Sequence, residues 1–105
     1  MMEETAIEKE IQDKNLNAPR ITTDRIDSVI VSETFTKLPS GRTLICELTL
    51  VNGYTVRGES SCVSIENFDL ELGKKISRED ARQKIWQLEG YLLKQELFRK
   101  ESQRG

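Results

Sequence analysis

The chain has 105 residues, enough for one domain with a modest core but not for two. Charged residues make up 32% of the chain and hydrophobic residues 36%, so we expect part of it to lie outside a folded core. The formal net charge of -2 argues against nucleic acid as a partner, because proteins that coat nucleic acid are strongly basic.

The first twenty residues are acidic and polar. They contain five acids and three bases, and their apolar residues Ile7 and Ile11 stand isolated. Such a segment buries too little apolar surface to offset the entropy of ordering it. We therefore predict a flexible acidic arm over residues 1–20, a single α+β domain over 21–98 and a frayed polar tail over 99–105.

A short helix is predicted near residues 23–32. Thr22 or Thr23 can cap its first turn, where Asp24 complements the helix dipole. Apolar residues then follow at the spacing i, i+3, i+4, which is typical of one buried helical face: Ile26, Val29 and Ile30.

Alternating segments follow and predict β-strands over 34–38, 42–51 and 54–58, separated by turns at Pro39–Gly41 and Asn52-Gly53. In the second strand one face is apolar, with Leu44, Cys46, Leu48 and Leu50 in alternate positions. The sequence thus predicts a three-stranded antiparallel sheet with one covered face.

The hairpin admits two registers. A two-residue loop would pair Leu48 with Arg57, which mixes apolar and charged side chains on one face. A three-residue loop, with Gly53 left-handed, pairs Leu48 with Val56 instead. Because a shift of one residue reverses every side chain, the burial pattern favours the three-residue loop.

A long C-terminal helix, capped by Ser64, is predicted to pack on the sheet. Its apolar residues project to two sides. One side holds Ile65, Phe68, Leu72, Ile76, Trp86, Leu93 and Leu97, and the other holds Ala81, Ile85, Leu88 and Leu92. Either the helix breaks near 77–80 or at Gly90, or the second side contacts another copy of the chain. We favour the oligomer contact.

The segments Asn52–Asp69, Leu72–Ile76 and Ala81–Tyr91 resemble a small family of tailed-phage and prophage proteins. That family is named for gene product forty-nine of a coliphage and gene product sixty-six of a Shigella phage. The resemblance extends over about residues 21–97, and its core is Glu59–Asp69 followed by Lys84-Ile85-Trp86. It implies a phage or prophage gene expressed in the cytoplasm of a bacterial host, and it implies no reaction.

Two groups of residues are candidates for binding an anion. Lys75, Arg78 and Arg82 form a basic row on the long helix that could hold phosphate, although such rows are more often solvated. Ser60, Ser61 and Asn67 place small donors near a helix N-terminus, although capping and turn hydrogen bonds would explain them equally well.

Catalysis and metal binding find little support. The chain has no histidine, and its two cysteines, Cys46 and Cys62, form no C-x-x-C pair, so the usual zinc sites and Ser-His or Cys-His pairs are excluded. We expect both cysteines to be free thiols, with a disulfide between them as the alternative. No metal and no cofactor is predicted.

No apolar run reaches the length of a membrane span, and no signal-peptide core is present, so a cytoplasmic protein is expected.

The hypothesis preferred from the sequence is a non-enzymatic homo-oligomer that binds a phosphate-bearing small molecule between subunits, such as a nucleotide signal of host immunity. In size and order of elements the chain is similar to the Thoeris anti-defence sponge proteins, although no motif matches residue by residue. The alternative is a regulatory factor that docks a host or phage protein on the second apolar side of the helix.

Overall fold

The computed structural model describes residues 4–14 and 18–104. Its elements are two short helices, three strands, a 3-10 turn and one long helix: α1 (Glu4–Asp13), α2 (Thr23–Ser28), β1 (Ile30–Lys37), β2 (Thr43–Leu50), β3 (Thr55–Ser61), the 3-10 turn (Ile65–Asn67) and α3 (Leu70–Arg104). The strands form one antiparallel sheet in the order β1-β2-β3, and α3 packs across one face of it. The predicted α+β architecture is confirmed.

The helix predicted near 23–32 is shorter than expected. α2 ends at Ser28, and Ile30 already pairs with Leu50 of β2. Ile30 and Val31 are β-branched and fit a pleated surface better than a helix. The second half of this segment is therefore a β-strand paired with β2, although its apolar residues have helical spacing.

Helix caps were predicted correctly at one of two places. Thr22 caps α2, since its Oγ1 accepts a hydrogen bond from the backbone N–H of Arg25 at 3.1 Å. Ser64, the predicted cap of the long helix, precedes only the 3-10 turn and makes no capping bond. The cap of α3 is Asp69, whose Oδ1 accepts from the N–H of Leu72 at 3.0 Å. A carboxylate at this end also complements the helix dipole.

The β2–β3 hairpin has the three-residue loop that the burial pattern favoured. Leu48 pairs with Val56, and the N–H of Leu50 donates to the carbonyl of Tyr54 at 2.8 Å. Gly53 has φ 88°, which is the left-handed conformation that this loop requires. The Asn-Gly pair and the alternating pattern therefore set the register together.

The core lies between the sheet and the first half of α3. The buried apolar side chains come from α2, alternate positions of β2, one position of β3 and one face of α3: Ile26, Val29, Leu44, Cys46, Leu48, Leu50, Val56, Ala81 and Ile85. The opposite face of the sheet is mostly threonine, serine and charged residues, as expected for an antiparallel sheet covered on one side.

β3 and α3 meet at a glycine. Gly58 pairs with Cys46 in the sheet and lies directly under the backbone of α3. A Cβ at Gly58 would lie 2.2 Å from the backbone nitrogen of Ala81 and 2.3 Å from the carbonyl oxygen of Ser77. Only glycine permits this approach, which brings Ala81 onto the sheet.

α3 is one continuous helix of 35 residues, so the predicted alternative of a break near 77–80 or at Gly90 is wrong. At 1.5 Å per residue it is about 52 Å long, roughly twice the length of an eight-residue strand. The radius of gyration is accordingly 17.2 Å, against about 13 Å for a compact domain of this length. We call residues 90–104, which extend beyond the sheet, the projecting segment.

Both the predicted arm and the predicted tail contain helical residues. Within residues 1–20, Glu4–Asp13 form helix α1, which lies against α2 and reaches α3 through Glu4. The sequence missed this because no residue of α1 is fully buried, and its attachment depends on hydrogen bonds from residues far along the chain. At the other end, α3 continues to Arg104, and residues 99–103 of it are exposed. The division into arm, domain and tail stays a prediction.

Candidate functional site

The residues predicted to bind an anion do not come together. Ser60, Ser61 and Asn67 lie near the 3-10 turn and the start of α3, on the side of β3. Arg78 and Arg82 lie on the opposite flank of α3 and reach β1 and α2. The predicted residues therefore form two groups, and Phe68 borders both, since it lines the recess of Ser60 and its ring lies under Lys37.

The first place is a small recess of about 100 Å³ that contains Ser60, Ser61 and Asn67. One of its donors is occupied, since the hydroxyls of Ser61 and Thr43 bond to each other at 2.9 Å. The N-terminus of α3 is already capped by the carboxylate of Asp69. An anion here would face that carboxylate, so the predicted role of the helix N-terminus finds no support in the geometry.

Arg82 is also occupied. Only 5% of the residue is exposed, and its guanidinium contacts three carboxylates. Nη1 lies 3.0 Å from both oxygens of Glu4 and 2.9 Å from Glu79, while Nε donates to Asp27 at 3.1 Å. Trp86 Nε1 donates to the same Glu4 carboxylate at 2.9 Å. Arg82 thus joins α1, α2 and α3, and an external phosphate would have to displace these carboxylates.

The charge state of Arg82 follows from the same contacts. Burial by itself lowers the pKa of the guanidinium, but hydrogen bonds with Glu79 and Glu4, together with the charges of Glu4 and Asp27, raise it above its ordinary value. Arg82 is therefore a permanently charged structural centre.

The second place surrounds Arg78. Five residues gather between β1 and α3, and we call them the cationic flank: Phe35, Lys37, Phe68, Lys74 and Arg78. Lys37 Nζ lies 4.5 Å from the centroid of the Phe68 ring, and Lys74 Nζ lies 5.6 Å from that of Phe35. Two cations thus lie over two aromatic rings, and Arg78 follows Lys74 by one helical turn. Cations beside aromatic rings suit a ligand with phosphates and a planar group.

Arg78 itself is partly available. Its Nε donates to Glu33 of β1 at 2.7 Å, and the two side chains are 38% and 45% exposed. An exposed pair of this kind contributes little to stability, so an anion could exchange with Glu33 at small cost. Lys75, the third residue of the predicted row, is exposed on α3 beside this group.

Four residues of the cationic flank were missed by sequence reasoning. Phe35 and Lys37 come from β1, Phe68 from the link between the 3-10 turn and α3, and Lys74 from α3. No local spacing connects them. One indication was present, because Phe35 pairs with Cys46 and so belongs to the covered face of the sheet. The rest depends on where α3 crosses that face.

The predicted oligomer contact is only partly available. Ala81 and Ile85 are completely buried in the core of their own chain, so the prediction is corrected for these two residues. The helical projection placed them opposite the sheet because Leu72 and Ile76 were expected to face it, yet those two are about half exposed. Close packing on Gly58 decides which side of α3 faces inward.

The remaining contact residues, Leu88 and Leu92, line a groove of about 420 Å³ where α3 leaves the sheet. Its walls also include Leu50 and Tyr54. Leu92 is 57% exposed and Tyr91 71%, so this apolar surface continues onto the projecting segment. It is open to a partner, unlike Ala81 and Ile85.

Both cysteines are free, as expected. Cys46 is buried beneath α3, and burial raises the pKa of its thiol; the charge of Glu33 acts in the same direction, and that of Arg78 opposes it. A buried, protonated thiol is a poor nucleophile.

Among residues 4–14 and 18–104 no helix is both long and apolar enough to cross a membrane. No curated protein and no solved structure matches the chain. The sequence profile of the Phage protein (N4 Gp49/phage Sf6 gene 66) family matches residues 21–97, which include every strand of the sheet and most of α3. The chain therefore belongs to this family of phage proteins.

Proposed function

We propose that this phage protein is a non-enzymatic cytoplasmic module that binds a phosphate-bearing small molecule, with a nucleotide signal of host immunity as the ligand class. The observation that supports it is the cationic flank, where Lys37 lies over the ring of Phe68 and Lys74 lies over the ring of Phe35. Arg78, one helical turn after Lys74, supplies a third cation and pairs with Glu33. Lysine and arginine bind phosphate oxygens, while a phenylalanine ring can stack on a base. Sequestration needs no reaction, only affinity and a sufficient number of copies.

Compared with the sequence-based hypothesis, the proposed site has moved. Arg78 and Lys75 stay in it, because both lie on the flank of α3 toward β1. Arg82, Ser60, Ser61 and Asn67 leave it. Arg82 is held by carboxylates, and the other three line the recess that contains the carboxylate of Asp69, although Phe68 borders that recess as well. The oligomer stays part of the proposal.

Calorimetry against a panel of cyclic nucleotides and ADP-ribose derivatives tests the proposal. We expect one of them to bind, and Arg78→Ala to weaken that binding at least tenfold, because a lost charge-assisted contact costs about 1.5–3 kcal/mol. The matched control is Lys100→Ala on the projecting segment, where Lys100 is exposed and pairs only with Glu96 among the described residues. Binding weaker than millimolar by every compound would overturn the proposal.

A second candidate function is recruitment of a host or phage protein by the projecting segment. It is favoured by the groove at Leu88 and Leu92 and by the exposed Tyr91 and Phe98 beyond it. An amphipathic helix of a partner would fit such a surface. We expect Leu92→Glu to abolish a one-to-one complex formed by a free monomer, measured by native mass spectrometry after pull-down from infected cells. A stable homo-oligomer without such a complex contradicts this alternative.

A further inference from the structure

The two edges of the sheet are not equivalent. In β3 the backbone groups of Thr55, Arg57 and Glu59 point away from β2, since the even-numbered residues bond to β2. α3 covers this edge, because Asp80 Oδ2 accepts from the N–H of Glu59 at 3.0 Å and Lys84 Nζ donates to the carbonyl of Arg57. β3 is therefore closed to another strand.

β1 has no such protection. Leu38 donates its N–H to Thr43, so alternate residues direct their backbone to β2, and those of Glu33, Phe35 and Lys37 point outward. Within residues 4–14 and 18–104 no group forms a hydrogen bond with these outward backbone groups. The strand holds eight residues without proline, and its one irregularity lies at Ile30–Ser32. Natural proteins seldom leave an edge of this length unpaired.

We propose that β1 pairs antiparallel with β1 of a second copy of the chain, which joins two sheets into one of six strands. The residue order favours a second copy as the occupant. With Phe35 on the two-fold axis, Glu33 lies opposite Lys37 of the other copy, and Thr34 lies opposite Thr36. Opposite charges and paired threonines stabilise neighbouring strands.

Other two-fold registers of the outward residues are worse. An axis at Glu33 would oppose two carboxylates, and an axis at Lys37 would oppose two ammonium groups, both of which destabilise a strand pair. Glu33 can serve its intramolecular and intermolecular partners together, because Arg78 occupies only one of its oxygens. Axes at Thr34 or Thr36 would place Glu33 or Lys37 opposite Phe35, so the axis at Phe35 is the one of these five that brings opposite charges face to face.

The pairing has a consequence for the ligand site. It would place the cationic flanks of two subunits side by side across Phe35, which would give a site shared between subunits. This consequence rests on the proposed function, whereas the strand pairing does not, since it requires no ligand. The two ideas can fail separately.

Disulfide trapping tests the pairing without ligand. Thr34→Cys and Thr36→Cys are prepared as separate proteins, each also carrying Cys62→Ser, while the buried Cys46 is kept. Residues 34 and 36 of opposite copies would form a pair without hydrogen bonds, about 4.5 Å apart between Cα atoms, which suits a disulfide. We expect mild oxidation of the mixed Thr34→Cys and Thr36→Cys proteins to give a covalent dimer. Either protein alone should give little covalent dimer.

Charge exchange provides an independent measurement by sedimentation. Glu33→Lys and Lys37→Glu should each dissociate the pair, because like charges then face each other. Their equimolar mixture should associate again, because every facing pair is opposite in the mixed dimer. A mixture that stays monomeric, or trapping that is equal in the single and mixed cysteine proteins, would overturn the proposal. A stable dimer without trapping in the mixture would also overturn it and would place the contact on the projecting segment.

Discussion

Gly58→Ala is expected to cost more than about 3 kcal/mol of unfolding free energy, beyond the usual cost of overpacking a core. The new methyl group would lie 2.2 Å from the backbone nitrogen of Ala81 and 2.8 Å from the carbonyl carbon of Asp80. These are backbone atoms inside a long helix, so no side chain can rotate to make room. The helix must move away from the sheet, which loosens Ala81 and Ile85 in the core together.

Urea unfolding followed by circular dichroism measures this effect, and the chain contains its own control. Gly90→Ala adds the same methyl group to α3, at a place where no atom outside its own helical turn lies within 4 Å. This variant should be more stable by about 1 kcal/mol, since alanine is the better helix former. If both variants lowered stability equally, the close contact between β3 and α3 would be refuted.

Arg82→Met is expected to lower the unfolding free energy by about 2–4 kcal/mol. The cation at this position neutralises Glu4, Asp27 and Glu79, and removing it leaves three neighbouring carboxylates without their partner. Water can reach these carboxylates in part, so the loss should be smaller than for a completely buried pair. Methionine keeps most of the apolar stem, so the change reports mainly on the charge.

Arg78→Ala is the matched comparison for Arg82→Met. Both arginines lie on one flank of α3 and bind carboxylates of other elements, but among the described residues Arg78 pairs with Glu33 alone and is partly exposed. Its replacement should cost less than about 1 kcal/mol. Thermal unfolding of both variants in one buffer gives the comparison, and similar losses would argue against Arg82 as the structural centre. If the Arg78→Ala protein is folded, weaker ligand binding by this variant can be attributed to the lost side chain and not to unfolding.

The proposed binding site could be predicted only in part, because its residues meet through tertiary contacts. Arg78 was identified from its charge and helical position, yet its partner Glu33 lies 45 residues away. Arg82 has the same charge and a similar position on the helix, but it is buried in ion pairs, since α1 and α2 supply its carboxylates. A helical projection gives the angle of a side chain around the axis but not which angle faces the sheet.

Local patterns determined the hairpin. Alternation along β2 and a glycine able to adopt φ 88° specify the β2–β3 register, and both properties act over a few residues. Only the tertiary structure decided that α3 turns Ala81 and Ile85 inward, that β3 has a covered edge and that β1 has an open one. These features depend on the position at which one rigid element crosses another. Gly58 sets that position by allowing two backbones to touch, and no periodicity in the chain encodes the distance between them.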